Sequence, residues 1–173
     1  MPLSAIAVGR LVPVKGFDRL IQAWQKIPIP LDIVGDGPER RHLQSLIQKS
    51  GVSDRVRLIG ESKVVFDVMR NKDLLVAPSH REGFSYVILE ALQFELCVIS
   101  TNTGIAPDLI PEEFLLDQPT TKLLTERIKC VIENFAETQR KFQPAWEQAK
   151  QFTVERMVKQ TVAIYRDSVN HRH

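Results

Sequence analysis

Short apolar runs rich in β-branched residues alternate with longer amphipathic stretches along most of this chain. The runs Leu3–Val8, Leu31–Val34, Val56–Ile59, Leu74–Ala77 and Cys97–Ser100 read as strands, and Glu113–Leu116 as a short sixth. Between them, Phe17–Gln25 carries Phe17, Leu20, Ile21 and Trp24 at helical spacing. Arg40–Lys49 places Leu43, Leu46 and Ile47 on one face, and Val64–Met69, Ser85–Phe94 and Lys122–Phe135 also read as helices. From Ala145 to about Val169 the pattern is helical, with a bend near Thr153. Val154, Met157, Val158, Thr161, Val162 and Tyr165 form its stripe. Strand–helix alternation at this spacing predicts an α/β, Rossmann-like, doubly wound parallel sheet of about six strands with helices on both faces. Ligands on such sheets sit outside the carboxyl ends of the strands, so the loops after strands are where chemistry is expected.

Composition narrows the classes further. A chain of 173 residues with 43% hydrophobic and 25% charged residues is ordinary for one globular domain. The formal charge of +2 gives no reason to expect a nucleic-acid partner. Cys97 and Cys130 show no metal-ligand or redox spacing and read as reduced thiols of a cytoplasmic protein. No apolar run approaches the roughly 20 residues that span a bilayer, and MPLSAIAV lacks the features of a signal peptide.

Four loops carry candidate ligand residues. In Gly9-Arg10-Leu11-Val12-Pro13-Val14-Lys15-Gly16, two cations precede a helix, which fits a phosphate site. Read from the residues alone, a solvated basic loop fits as well. Gly35-Asp36-Gly37 lacks the third glycine of a dinucleotide fingerprint, because Arg40 stands there, and reads as a strand–helix turn. Pro78-Ser79-His80-Arg81-Glu82-Gly83-Phe84-Ser85 opens a helix that carries Glu90, about two turns in if the helix starts near Ser85. Glu82 and Glu90 could accept from sugar or ribose hydroxyls, with the amides of Gly83, Phe84 and Ser85 open to an anion. Two solvated carboxylates are the plainer alternative. Ser79 could bind a hydroxyl, although a cap or turn role is the commoner one. The fourth loop, Thr101–Asp108, could offer further amides or only connect. No Asp-x-Asp pair occurs, so metal ligands for a diphosphate are not expected and cations with helix amides would neutralise it.

Taken in order, GRLVPVKG, IVGDGPE, VRLIG, LLVAPSHREGFSYVILEAL and CVIST resemble the retaining glycosyltransferases of family 4 from about Ala5 to Ile110. The terminal FTVERM…IYR stretch is also similar to that family's end. The Glu82-x7-Glu90 spacing in its EGF…LEA setting is the most specific part. The resemblance implies the nucleotide-sugar donor domain, the C-terminal half of a GT-B enzyme, filling residues 1–173 as one unit. Terminal helices from about residue 144 would pack back toward an N-terminal, acceptor-binding domain absent from the chain.

The resemblance implies a hexosyltransferase type of activity, metal-independent and with retention of anomeric configuration. Arg10 and Lys15 would bind the donor diphosphate, with Gly9 allowing close backbone approach, and stabilise the leaving nucleotide. Glu82 would hold donor-sugar hydroxyls near the reacting carbon, and Glu90 the ribose hydroxyls. The amides of Gly83, Phe84 and Ser85 would touch sugar and phosphate, and Gly60-Glu61-Ser62-Lys63, with Ser62, would flank the base. The leaving phosphate would help to deprotonate the acceptor during front-face attack. Implied partners are a nucleotide sugar and a saccharide or lipid-linked acceptor, with neither nucleic acid nor a separate cofactor. Polysaccharide or lipopolysaccharide synthesis by a cytoplasmic enzyme, peripheral at the inner membrane in its full length, is the implied setting. A sugar-nucleotide epimerase of the same architecture and an inactive binding module are the alternatives. The isolated domain, with its acceptor-facing side uncovered and little turnover of its own, is expected to self-associate or to fray beyond about Thr153.

The family pattern is departed from at three places. Ser85 stands where EGFG has its last glycine. Glu95 and Cys97 stand where a glycine and a proline are common, and a non-glycine residue at a left-handed helix end suggests a turn built differently. Ile105 replaces the second glycine of a pair and is expected to limit backbone approach there.

Overall fold

The computed structural model describes residues 3–61 and 65–152. Ser62, Lys63 and the Val154–Tyr165 stripe therefore lie outside the described residues. Six parallel strands form one sheet: β1 (Ala5–Val8), β2 (Leu31–Val34), β3 (Val56–Gly60), β4 (Leu74–Ala77), β5 (Cys97–Thr101) and β6 (Leu115–Leu116). Their spatial order is β3-β2-β1-β4-β5-β6. The Rossmann-like doubly wound sheet expected from the alternation is thus the fold observed. β6 is shorter than the run Glu113–Leu116, because Glu112–Phe114 winds into a 3-10 turn before it.

The helices are α1 (Phe17–Ala23), α2 (Arg40–Lys49), α3 (Val65–Met69), α4 (Tyr86–Gln93), α5 (Ala106–Leu109), α6 (Thr121–Glu133) and α7 (Phe135–Lys150). α1 packs with α2 and α6, while α7 packs with α4 and α5, giving helical layers on the sheet. None of the described helices is long and apolar enough to cross a membrane.

Burial explains the strand sequences. β1, β2, β4 and β5 are covered on both faces, so they are apolar almost throughout rather than alternating. The polar exceptions are Ser100 and Thr101 at the end of β5 and Asp32 in β2, which is buried and takes two bonds from Arg57, at 2.9 and 3.1 Å, and one from Lys72, at 2.7 Å. Trp24 and Trp146 are buried with their ring N–H groups satisfied by the carbonyls of Ile29 (2.7 Å) and Leu96 (2.9 Å). Both cysteines are free; burial first, and the charge of Asp73 second, push the Cys97 thiol up to about 12.

Three local expectations change. α7 begins at Phe135, not at Ala145, and runs through Pro144. Proline leaves the carbonyl four residues back without its helical donor, and Arg140 there is exposed to water. The buried stripe Thr138, Phe142, Ala145, Trp146 and Ala149 holds the helix across that gap. Glu95 adopts φ 60° itself, so the α4–β5 turn keeps its left-handed residue without a glycine. Its carboxylate pairs with Lys150 at 2.9 Å, at the end of α7. Ile105 turns its side chain into the core in an ordinary right-handed conformation. Close backbone approach falls to Gly104 instead.

Candidate functional site

The sheet reverses its winding between β1 and β4, which pair through Ala5↔Leu74 and Ile6↔Leu75. Chain connections leave these neighbouring strands in opposite directions, and in open sheets of this kind ligands bind outside the carboxyl ends at such a point. The two loops richest in candidate residues, after β1 and after β4, flank that point.

The loop after β1 is seated by backbone contacts. The amide of Gly9 donates to Val34 O (3.0 Å), that of Leu11 to Asp36 O (2.9 Å), and that of Glu39 to Leu11 O (3.0 Å). A side chain at Gly37 would stand 2.5 Å from Leu11 O, and one at Gly35 would strike the Gly9 carbonyl. The Gly-x-Gly turn is therefore no nucleotide fingerprint. It is the bare backbone on which the loop after β1 rests. The loop ends in the 3-10 turn Pro13–Lys15, and the Lys15 stem crosses directly over Gly9.

Lys15 then meets the loop after β4. Its Nζ lies 2.5 Å from Oε1 of Glu82, with both side chains mostly buried. A backbone bond from the His80 amide to Val14 O, 2.8 Å, ties the same two loops together. Oε1 of Glu82 also accepts from the Ser79 hydroxyl at 2.6 Å. Oε2 accepts nothing among the described residues, so one oxygen of this carboxylate is held and the other is open. The loop after β5 backs the arrangement. Thr101 Oγ1 donates to Ser79 O at 2.6 Å, and a side chain at Gly104 (φ 59°) would stand 2.7 Å from Gly83 O.

Glu90 lies about one turn into α4, which starts at Tyr86; the expected two turns were an overcount, since even a start at Ser85 gives about 1.4 turns. Its carboxylate makes no bond among the described residues, and burial raises its pKa above the ordinary value. The amides of Gly83, Phe84 and Ser85 donate to no described residue and precede the helix. Ser85 sits at φ −90° with a buried side chain, so this position needs no glycine. Phe84 and Tyr86 are exposed and their rings meet at 4.8 Å. Arg10 is exposed on the first loop and forms no ion pair among the described residues. Ser62 lies outside the described residues. His80, with Nδ1 3.4 Å from Arg19 Nη1, is an exposed neighbour.

The structure thus brings Gly9, Lys15 and Glu82 together, with Ser79 behind Glu82 and the Gly83–Ser85 amides next in the chain. Neither the Ser79–Thr101 link nor the seat at Gly35–Gly37 stands out in the sequence. The link depends on sheet register, since Ala77 pairs with Ser100 and the next residues of each strand become neighbours.

Comparison with known proteins agrees with this fold. Residues 2–149 match the family described as glycosyl transferases group 1. The chain is 27% identical over 159 residues to the amylovoran biosynthesis glycosyltransferase AmsD of Erwinia amylovora, covering 89% of this chain and 45% of that protein. It is 30% identical over 157 residues to the phosphatidylinositol N-acetylglucosaminyltransferase gpi3 subunit of Schizosaccharomyces pombe, covering 86% of this chain and 34% of that protein. Among solved structures, Anabaena Alr3699/HepE in complex with UDP and glucose aligns with a TM-score of 0.86 at 26% identity, over 96% of this chain and 49% of that one. Sucrose-phosphate synthase from Thermosynechococcus elongatus gives 0.86 at 25% identity, over 98% and 46%. The chain spans about half, or less, of the length of these relatives. With a doubly wound sheet and a family match over residues 2–149, the chain belongs to the group 1 glycosyltransferases.

Proposed function

We propose that this chain is the nucleotide-sugar donor domain of a two-domain glycosyltransferase, acting without metal and with retention of configuration. The Lys15–Glu82 pair at the switch point is the observation that carries the reading. In the free site each group neutralises the other. A donor diphosphate would bring negative charge to Lys15 and Arg10, and the open oxygen of Glu82 would accept from the sugar hydroxyls beside it. Glu90 would take the ribose hydroxyls and the Gly83–Ser85 amides the phosphate edge, with Ser62 near the base. As the bond to the sugar breaks, charge grows on the leaving phosphate, where fixed cations and amides stabilise it most effectively. That phosphate would receive the acceptor proton as the acceptor attacks from the same face. The bound UDP and glucose of Alr3699/HepE, a structural relative, support this class of donor. The acceptor would be positioned by a second domain, so the chain alone would turn over little.

Saturation-transfer NMR with UDP-, GDP- and ADP-glucose, in the presence of EDTA, tests donor binding and metal independence together. One donor should transfer magnetisation regardless of chelation. Lys15→Ala should weaken its binding roughly tenfold, the usual worth of a hydrogen bond to a charged group. Binding that needs added divalent metal would overturn the metal-free reading. Retention would be read from the anomeric coupling of the product formed with the acceptor domain present.

A further inference from the structure

We propose that Ser79 is a positioning residue for the donor sugar, fixing the orientation in which the Glu82 carboxylate faces the ligand; this rests on the reading of Glu82 as the sugar-hydroxyl acceptor. A carboxylate on a loop can turn about its last bond, and since its two oxygens are equivalent, what must be held is the direction of its plane. Here Oε1 is occupied twice, by Ser79 Oγ at 2.6 Å and by Lys15 Nζ at 2.5 Å. Lys15 cannot do this alone, because the same ammonium is assigned to the donor diphosphate and must be shared or given up when donor binds. Ser79 has no such second task. It is 3% exposed, out of reach of solvent competition, and its hydroxyl proton is directed at Glu82.

The serine is itself held. Thr101, 2% exposed, donates to the Ser79 carbonyl at 2.6 Å, and Thr103 Oγ1 stands 3.3 Å from Thr101 Oγ1. With the Thr101 proton on the Ser79 carbonyl, Thr103 is left as the donor in that second contact. The chain Thr103, Thr101, Ser79, Glu82 links the end of β5 to the carboxylate through two buried hydroxyl-bearing residues. The Thr101–Ser79 link is set by the β4–β5 register, and the other two are local to their own loops. A network satisfied at every buried member holds a single orientation, which leaves Oε2 as the acceptor for a sugar hydroxyl.

The test compares each nucleotide (UDP, GDP, ADP) with its glucose conjugate by amide NMR titration of this chain. The extra affinity of the conjugate over the bare nucleotide is the readout. Ser79→Ala and Thr101→Val are expected to reduce that extra affinity by roughly threefold or more, while the nucleotide alone stays within about twofold. Thr101→Ser, which keeps the hydroxyl, is expected to retain it. Spectra that superimpose outside the two loops establish that each variant is folded, and Thr101→Val carries the test if Ser79→Ala is not. Equal weakening of nucleotide and conjugate, or an unchanged sugar contribution, would overturn the positioning role and leave the donor site standing. No extra affinity in the unmodified chain would remove the role of Glu82 itself, and this inference with it.

Discussion

Asp32 is the only buried carboxylate among the described residues, and its partners are unequal. The Lys72 side chain is 11% exposed and that of Arg57 is 65% exposed. Removing the carboxylate leaves Lys72 buried without its partner, so Asp32→Ala should cost about 3 kcal/mol, while Arg57→Ala should cost under about 1 kcal/mol. Urea unfolding midpoints would check both. Glu95 carries a different cost, because its φ of 60° is disfavoured for any residue with a Cβ. Glu95→Gly relieves that strain but loses an exposed pair with Lys150, so a net gain of about 0.5–1 kcal/mol is expected from thermal unfolding. Glu90 gives a pH prediction. Its raised pKa means that it protonates at higher pH than a free carboxylate, and the neutral form accepts hydroxyl bonds less well. Donor binding should therefore weaken as pH falls, starting at a higher pH than for an ordinary carboxylate, and Glu90→Gln should remove that component. A nucleotide sugar is the ligand to use, because its diphosphate keeps its charge while the carboxylate titrates.

At the scale of elements, α7 is anchored where α4 ends. The Trp146 ring N–H bonds Leu96 O, and Gln93 Nε2 donates to the carbonyls of Ala149 and Phe152, both at 3.2 Å. Trp146→Phe keeps an aromatic ring in the core but strands a buried carbonyl. It should destabilise the chain by about 1–3 kcal/mol in denaturant unfolding. This helix was also the least legible element in the sequence. Pro144 divides its pattern, and the tertiary stripe that carries the helix through the proline cannot be weighed locally. The parallel strands were legible because doubly covered strands are apolar along almost their whole length, as β1 and β4 are. The start of β6 was not, since a 3-10 turn leaves no periodic trace. At the site, Lys15 and Glu82 were legible as charges in loops after strands. Their contact was not, because it depends on strand order, and the support from Ser79 depends on register.

The whole molecule places its reactive groups where the sheet changes direction. Strand order brings the loops after β1 and β4 together although 67 positions separate Lys15 from Glu82. The glycines at 35 and 37 fix the first loop, and the third strand connection, through Thr101 and Gly104, fixes the second. A half-site of this kind is expected to bind donor at only about millimolar strength, roughly 4 kcal/mol, since the second domain would supply the remaining contacts. The most direct measurement is an amide NMR titration of the chain with UDP, GDP and ADP, followed by the matching nucleotide sugars. A donor site at the switch point predicts shifts confined to residues 9–16 and 83–90, larger for one nucleotide than for the others. Silence at both loops up to several millimolar, or shifts centred elsewhere on the molecule, would contradict it.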